Sequence, residues 1–372
     1  MKTKLICMAL LATMAVSLTA CGTSGGSSST SGEMNTSSAV QSTGITITDS
    51  AGREVTLEKP LETVVTFNSS LYDTLVSFGA ADTVIGVGDS IKKAIADGVP
   101  SVGAWNDPNI EKILELKPDA VLTYKSYMTD ENEKMLEDAG IKCIYLELSK
   151  ADQVTNEMTS LGKIFGEEEQ AQKYVDFCNK YNLSYTYPSM KLSYNLYFYQ
   201  RLKNIKEEDR VKVYYEGYTD YKSANSTTGG HQLVTSAGGI NIAADESTEY
   251  PEISDEWVLE QNPQAVVKLV SNTKNILGPN VTDSAAAEEV YNNLISRPGW
   301  SELQAVKDGK VIILASEIGT TATGSVIGSL YLAKVFYPEE FKDIDLTKVH
   351  EEFQETLFNS ELTGIYAYPE VN

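Results

Sequence analysis

Thr63-Val64-Val65-Thr66-Phe67, Thr83-Val84-Ile85-Gly86-Val87, Asp119-Ala120-Val121-Leu122-Thr123 and Lys142-Cys143-Ile144-Tyr145-Leu146 are short apolar runs rich in β-branched residues. Each is too brief for a helix and is bounded by turn residues, so each reads as a strand buried on both faces. Leu71, Leu75, Val76 and Phe78 mark one helix face between them, and Ile110, Ile113, Leu114 and Leu116 mark another that stops before Pro118. Strand and helix alternate, which predicts a parallel α/β layer.

The same grammar returns in Val211–Tyr215 (VKVYY), Ala265–Leu269 (AVVKL) and Lys310–Leu314 (KVIIL), with helices expected at Gln232–Ala237, Asp255–Gln261 and Thr323–Phe336. Between the two sets, Val175, Cys178, Tyr181, Leu192, Leu196, Tyr199 and Leu202 recur at helical intervals. The span 167–206 therefore reads as one long helix, or two stacked ones with Pro188 as the kink. Tyr194, Leu196 and Phe198 would equally suit an alternating strand, and periodicity alone leaves that open. The chain divides into an N-terminal α/β lobe (45–166), a connecting helix (167–206) and a C-terminal α/β lobe (207–372).

Upstream, Lys2 and Lys4 precede a mostly apolar stretch from Leu5 to Leu18, too short to span a bilayer. It closes on Leu18-Thr19-Ala20-Cys21, which resembles a bacterial lipobox. Residues 1–20 are thus expected to be a lipoprotein signal peptide, with Cys21 as the lipidated first residue of an exported chain. Two acyl chains on one cysteine give stable anchoring where one does not. A secretory peptide cleaved without lipid, or an uncleaved anchor helix, are the alternatives. Residues 21–44 are dominated by Ser, Thr and Gly and read as a flexible tether. The anchor would place the domain on the outer face of the plasma membrane or in the periplasm.

Loss of a leader carrying two lysines moves the formal charge from -22 to -24, which disfavours nucleic acid as a partner. His231 and His350 are the only histidines, so a His-built zinc site is nearly excluded, and no metal site is assigned. Beyond the leader and Cys21, Cys143 and Cys178 read as isolated buried thiols. Gly22-Thr23-Ser24-Gly25-Gly26 fits an esterase elbow in letters but lacks the strand and helix that elbow needs. Gly86-Val87-Gly88 opens a dinucleotide fingerprint whose third glycine is Ile91. No catalytic residues are assigned, and no resident cofactor.

In open parallel sheets ligands sit beyond the C-terminal strand ends. That rule selects Asn68, Ser69, Ser70 and Tyr72 after the first strand, and Tyr124, Lys125 and Tyr127 after the third. Trp105 follows Val102-Gly103-Ala104, expected as a short edge strand. From the second half come Glu216, Tyr218, Tyr221, Lys222, Ser316 and Glu317, with His231 at a helix start. The aromatic members suit a large ligand with a flat face, and Lys125 and Lys222 would offset carboxylate or catecholate charge.

Ile47-Thr48-Asp49-Ser50-Ala51-Gly52-Arg53-Glu54-Val55 resembles the opening of substrate-binding proteins that serve ABC importers of iron-siderophores, haem and cobalamin. The resemblance continues in family order: Leu75–Ala80 into Val84–Val87, then Pro108–Ile113 into Leu116–Val121. It returns with Ala237–Ala243, Tyr250–Glu256 and Asn262-Pro263. It implies two Rossmann-like lobes joined by a long backbone α-helix that permits little closure, with the ligand in the cleft between them. It further implies capture of an iron complex of siderophore type, or of cobalamin or haem, for a permease dimer with its ATPase. The binding protein itself would act as a monomer. Glu111 and Glu256 match the exposed glutamates that meet permease arginines in that family. A chelate-processing enzyme and a permease-free sensor are the competing classes.

Overall fold

The computed structural model describes residues 44–148, 153–181, 197–271, 274–321 and 323–371. A hairpin of β1 (Ile45–Thr48) and β2 (Glu54–Leu57) opens it. The first α/β unit then runs β3 (Val64–Thr66), α1 (Ser69–Ser77), β4 (Val84–Val87), α2 (Lys92–Ala96), β5 (Gly103–Ala104), β6 (Asp107–Pro108), α3 (Ile110–Leu116), β7 (Ala120–Thr123), α4 (Asp130–Asp138) and β8 (Lys142–Tyr145). Its sheet has the order β4-β3-β7-β8 with every pair parallel. Both faces are buried, as the unbroken apolar runs require. Val64, Ala120, Leu122 and Ile144 point into one cluster, and Val65, Val121, Cys143 and Tyr145 into another.

The expected edge strand touches the sheet only at its start, where Ser101 bridges Val87 in parallel and the Val102 amide donates to the Val87 carbonyl at 2.8 Å. Gly103 and Ala104 pair with Asp107 and Pro108 in a small antiparallel hairpin whose turn carries Trp105. Gly103 has φ 97°, and a Cβ there would lie 2.7 Å from the Asp107 carbonyl oxygen, so only glycine fits.

Helices α5 (Val154–Phe165) and α6 (Glu168–Tyr181) follow and pack against each other. Gly166 turns the chain between them in the left-handed region, and Gly162 allows Ala171 to approach closely. Next comes α7 (Tyr197–Asn204). Both α6 and α7 fall within the expected connecting helix at 167–206. Pro188, and Ser193 to Leu196 of the ambiguous stretch, lie outside the described residues.

The second unit is β9 (Lys212–Glu216), α8 (Gly229–Ser236), β10 (Ile240–Asn241), α9 (Asp255–Gln261), β11 (Ala265–Val270), α10 (Ala285–Ile295), α11 (Gln304–Lys307), β12 (Val311–Ala315), α12 (Ser316–Gly319), α13 (Gly324–Phe336), α14 (Leu346–Phe358) and β13 (Ala367–Tyr368). Strands β10-β9-β11-β12 are parallel, and β13 closes the edge of the sheet antiparallel. The β1–β2 hairpin and β13 are additions to the strands read from sequence. β13 has two residues, below the length at which a pattern registers.

Helix α6 is bonded to α14 of the second unit. Phe177 packs against Phe353 with centroids 5.3 Å apart and ring planes tilted by 58°, the Tyr181 hydroxyl donates to Glu352 Oε2 at 2.5 Å, and Gln170 Nε2 donates to the Leu357 carbonyl at 3.2 Å. One apolar core therefore runs from the first sheet through α5 and α6 into the second. Cys143 and Cys178 are both free and buried, and burial pushes each thiol up to about 12. Among the described residues no helix is long and apolar enough to cross a membrane.

Candidate binding site

The loop after β3 is consumed by structure. Asn68 Oδ1 accepts from the Ser70 and Leu71 amides as the cap of α1, its Nδ2 donates to the Glu147 carbonyl, and the side chain is 4 % exposed. Tyr72 is 5 % exposed and belongs to the core. Neither offers a surface to a ligand, contrary to the sequence expectation, because the first turn of α1 folds back over the sheet. Ser69 is exposed, and Asp73, one residue beyond Tyr72, is half-buried.

The aromatic residues of the first unit do come together. Trp105 packs on Tyr127 with centroids 4.7 Å apart, and Tyr124 meets the same ring edge-on at 4.8 Å. Trp105 remains 47 % exposed, leaving its outer face available. Tyr127 lies within electrostatic reach of Tyr250 of the second unit, and Tyr250 is in reach of Tyr218. Tyr218 donates to or accepts from Thr320 Oγ1 at 2.8 Å and is 48 % exposed, while Tyr250 is 62 % exposed. The strand ends of the two units thus face each other across an aromatic-walled gap. Tyr250 follows no strand, so the strand-end rule passes over it.

The cations expected to serve a ligand are engaged with the protein. Lys125 Nζ lies 2.8 Å from both Asp130 and Glu133, and Lys222 Nζ lies 3.1 Å from Glu252. Tyr221, at φ 63°, donates to Asp255 Oδ2 at 3.2 Å and lies under the Arg297 guanidinium, 4.1 Å from its ring centroid. It faces α9 rather than the gap. His231 is half-buried near Asn241, with Nδ1 3.4 Å from Nδ2, and burial lowers its proton affinity. Its amide donates to Thr228 Oγ1 in the cap of α8.

Behind Tyr218 sits a cavity of about 400 Å³ that no sequence pattern announces. Lys268, 3 % exposed in mid-strand, pairs with Glu216 at 2.9 Å, and Arg297 grips the same carboxylate with two bonds of 2.7 and 2.9 Å. Asp220 closes the network from the surface at 2.9 Å from Lys268. Burial of a lone lysine there would be prohibitive; Glu216 and Asp220, two carboxylates for the two cations, offset it. A larger cavity of about 630 Å³, edged by Lys59, Lys117 and Lys142, lies at the opposite, N-terminal ends of β7 and β8 and is no part of the gap. Among the described residues no group of three or more His, Cys, Asp or Glu is arranged to hold a metal ion.

Glu317, half-buried in the first turn of α12, accepts from Ser316 Oγ at 3.1 Å and projects beside Gly278. Its charge reaches Asp73 on α1. Burial, with the Glu317 charge adding and Lys93 opposing, raises the Asp73 carboxyl to about 6.

Glu111 and Glu256 occupy matching places. Each is the second residue of a seven-residue helix, α3 or α9, capped by Asn109 or Ser254. Each helix ends in a left-handed residue, Lys117 or Asn262, followed by proline and a central strand, β7 or β11. Both glutamates are exposed.

Two α/β units with parallel sheets, meeting at their C-terminal strand ends, define a two-lobed cleft-binding protein. The chain matches the family described as Periplasmic binding protein over residues 64–182 and 198–318, and it belongs to that family. It is 27 % identical to the uncharacterized ABC transporter substrate-binding lipoprotein YvrC of Bacillus subtilis, over 80 % of this chain and 87 % of that protein. The molybdate-binding protein MolA of Haemophilus influenzae is 23 % identical, over 84 % of this chain and 91 % of that one. The vitamin B12-binding protein of Salmonella paratyphi A is 26 % identical, over 52 % and 68 %. In structure it is similar to the TroA-like periplasmic binding protein FepB of Veillonella parvula, with TM-score 0.69, 25 % identity, and 87 % and 99 % of the two chains covered. The chain is a substrate-binding protein of the ABC-transporter class and not an enzyme.

An acid held above its ordinary 3.8 keeps its proton more tightly folded than unfolded, so stability falls as pH rises from about 4 to about 6. Asp73→Asn removes that contribution. Thermal melts from pH 4 to 7 should show the native protein gaining on the variant as the solution is acidified; parallel curves would contradict the assignment.

Proposed function

We propose that the protein is a lipid-anchored receptor that captures a bulky metal chelate, of the iron–siderophore type, and hands it to an ABC permease dimer. The observation that supports this best is the aromatic surface of Trp105, Tyr124 and Tyr127 facing Tyr218 and Tyr250. Rigid aromatic faces favour a broad ligand with little conformational cost, and a concave site between lobes buries most of it. A corrinoid is the second reading, favoured by the vitamin B12-binding relatives. Titration of tryptophan fluorescence against ferric siderophores, haem and cobalamin tests both. The expected result is saturable sub-micromolar quenching by one class, weakened about tenfold or more by Tyr127→Ala; no quenching by any class would defeat the proposal.

Glu111 and Glu256 support the delivery step, one exposed carboxylate on each lobe at equivalent positions. Arginine pairs bidentately with such groups, which fixes the docking pose as well as adding attraction. Glu111→Ala combined with Glu256→Ala should abolish uptake in cells while leaving ligand affinity unchanged. Retained uptake would remove the docking role.

Anchoring rests on Leu18-Thr19-Ala20-Cys21 and on a relative named as a lipoprotein. Cys21→Ala should release the protein from the membrane fraction. A membrane-bound Cys21→Ala protein would show that the lipid is not what holds it.

A further inference from the structure

Three cations line the cavity behind Tyr218: Lys268 on β11, Lys274 in the loop that follows it, and Arg297 just past α10. Glu216, whose side chain is wholly buried, holds Arg297 by two bonds and Lys268 by one. Asp220 is a different kind of partner. It stands on the loop after β9 with its side chain 69 % exposed, and reaches in from the rim to 2.9 Å from Lys268 Nζ and 3.5 Å from Arg297 Nη2. An ion pair made by so exposed a carboxylate contributes little stability. Lys274 is exposed and forms no ion pair among the described residues, acting on Asp220 through its charge alone. Val270, Ile276, Val290 and Leu294 give the cavity an apolar side.

We infer that this cavity is a second binding site, for a small dicarboxylate, in which one ligand carboxylate displaces Asp220 from Lys268 and Arg297 and the other meets Lys274. The site is independent of the chelate reading, because every residue that lines it belongs to the second lobe. Charge selects a dianion: with Asp220 turned out to solvent, three cations face one fixed carboxylate, Glu216, and two positive charges are left in a chain whose formal charge is -22. Asp220 itself shows that the outer edge of the Lys268–Arg297 pair accepts a carboxylate at hydrogen-bonding distance. A ligand carboxylate in its place keeps the balance of two acids for two cations that permits Lys268 to be buried. A volume of about 400 Å³ is that of a small-molecule pocket, and the apolar side suits the carbon chain between two carboxylates.

Calorimetric titration of the purified protein with succinate, glutarate and adipate, against acetate and inorganic phosphate, tests this. One dicarboxylate should bind, one molecule per protein, about tenfold or more tightly than acetate or phosphate. Asp220→Asn removes the displaced group and keeps the cations, so it should tighten that dicarboxylate about tenfold; Lys274→Gln should weaken it about tenfold, since each changes one charge facing the ligand. A network that is only structural predicts neither of these opposed shifts. Both side chains are exposed, and circular dichroism confirms that the variants fold; if Asp220→Asn does not, Lys274→Gln carries the test alone. Absence of dicarboxylate binding, tighter binding of phosphate than of every dicarboxylate, or an affinity unchanged in the variants would overturn the inference. Chelate binding is a separate titration, so either reading can fail while the other stands.

Discussion

The cleft depends on the seam between α6 and α14. Each lobe alone would present its strand ends to water with no partner opposite, and a ligand resting there would be covered on one side. The Phe177–Phe353 ring contact, the Tyr181–Glu352 bond and the Gln170 contact to the last turn of α14 tie the chain leaving the first lobe to the last long helix of the second. Because these contacts belong to a continuous apolar core, shifting one lobe against the other would open voids in close-packed side chains. Such packing favours discrete arrangements over continuous flexing.

On that frame the two lobes repeat a local device. A seven-residue helix with a capped start, a left-handed last position, a proline and then the central strand appears as α3–β7 and again as α9–β11. Repetition of the device is what puts Glu111 and Glu256 at equivalent points. A docking surface made of one such point per lobe reads the separation between lobes as well as the presence of each. The cleft shows the opposite economy: its aromatic residues come from unrelated elements, a hairpin turn, a strand-end turn and two loops, brought together only by tertiary structure.

The central parallel strands, α1, α3, α9 and the approximate course of α13 were legible, because buried parallel strands are unbroken apolar runs and capped helices carry their own punctuation. Helix α14 was missed although Leu346, Val349, Phe353 and Leu357 repeat at helical spacing and all are buried. Of the site, the strand-end rule found the loops but not which side chains in them turn toward the gap. Asn68 and Lys125 are polar residues in the right loops, yet one is used as a helix cap and the other in ion pairs within the protein. A side chain's local alternatives decide that, and they are invisible without the backbone. Asp73 and Tyr250 escaped for the converse reason: one sits in a helix and one in a long loop, where sequence offers no reason to prefer them. Lys268 in the AVVKLV run was likewise silent, since the carboxylate that permits its burial lies 52 residues away, at the register position paired with it.

The central claim is that one ligand is held by both lobes at once. A double-mutant cycle across the gap measures this directly, with Tyr127→Ala on one lobe and Tyr250→Ala on the other, read as affinity for whichever chelate saturates the native protein. The account predicts that each substitution weakens binding and that their effects are coupled, because a single bound molecule touches both faces. A variant on either lobe that binds as tightly as the native protein would contradict it.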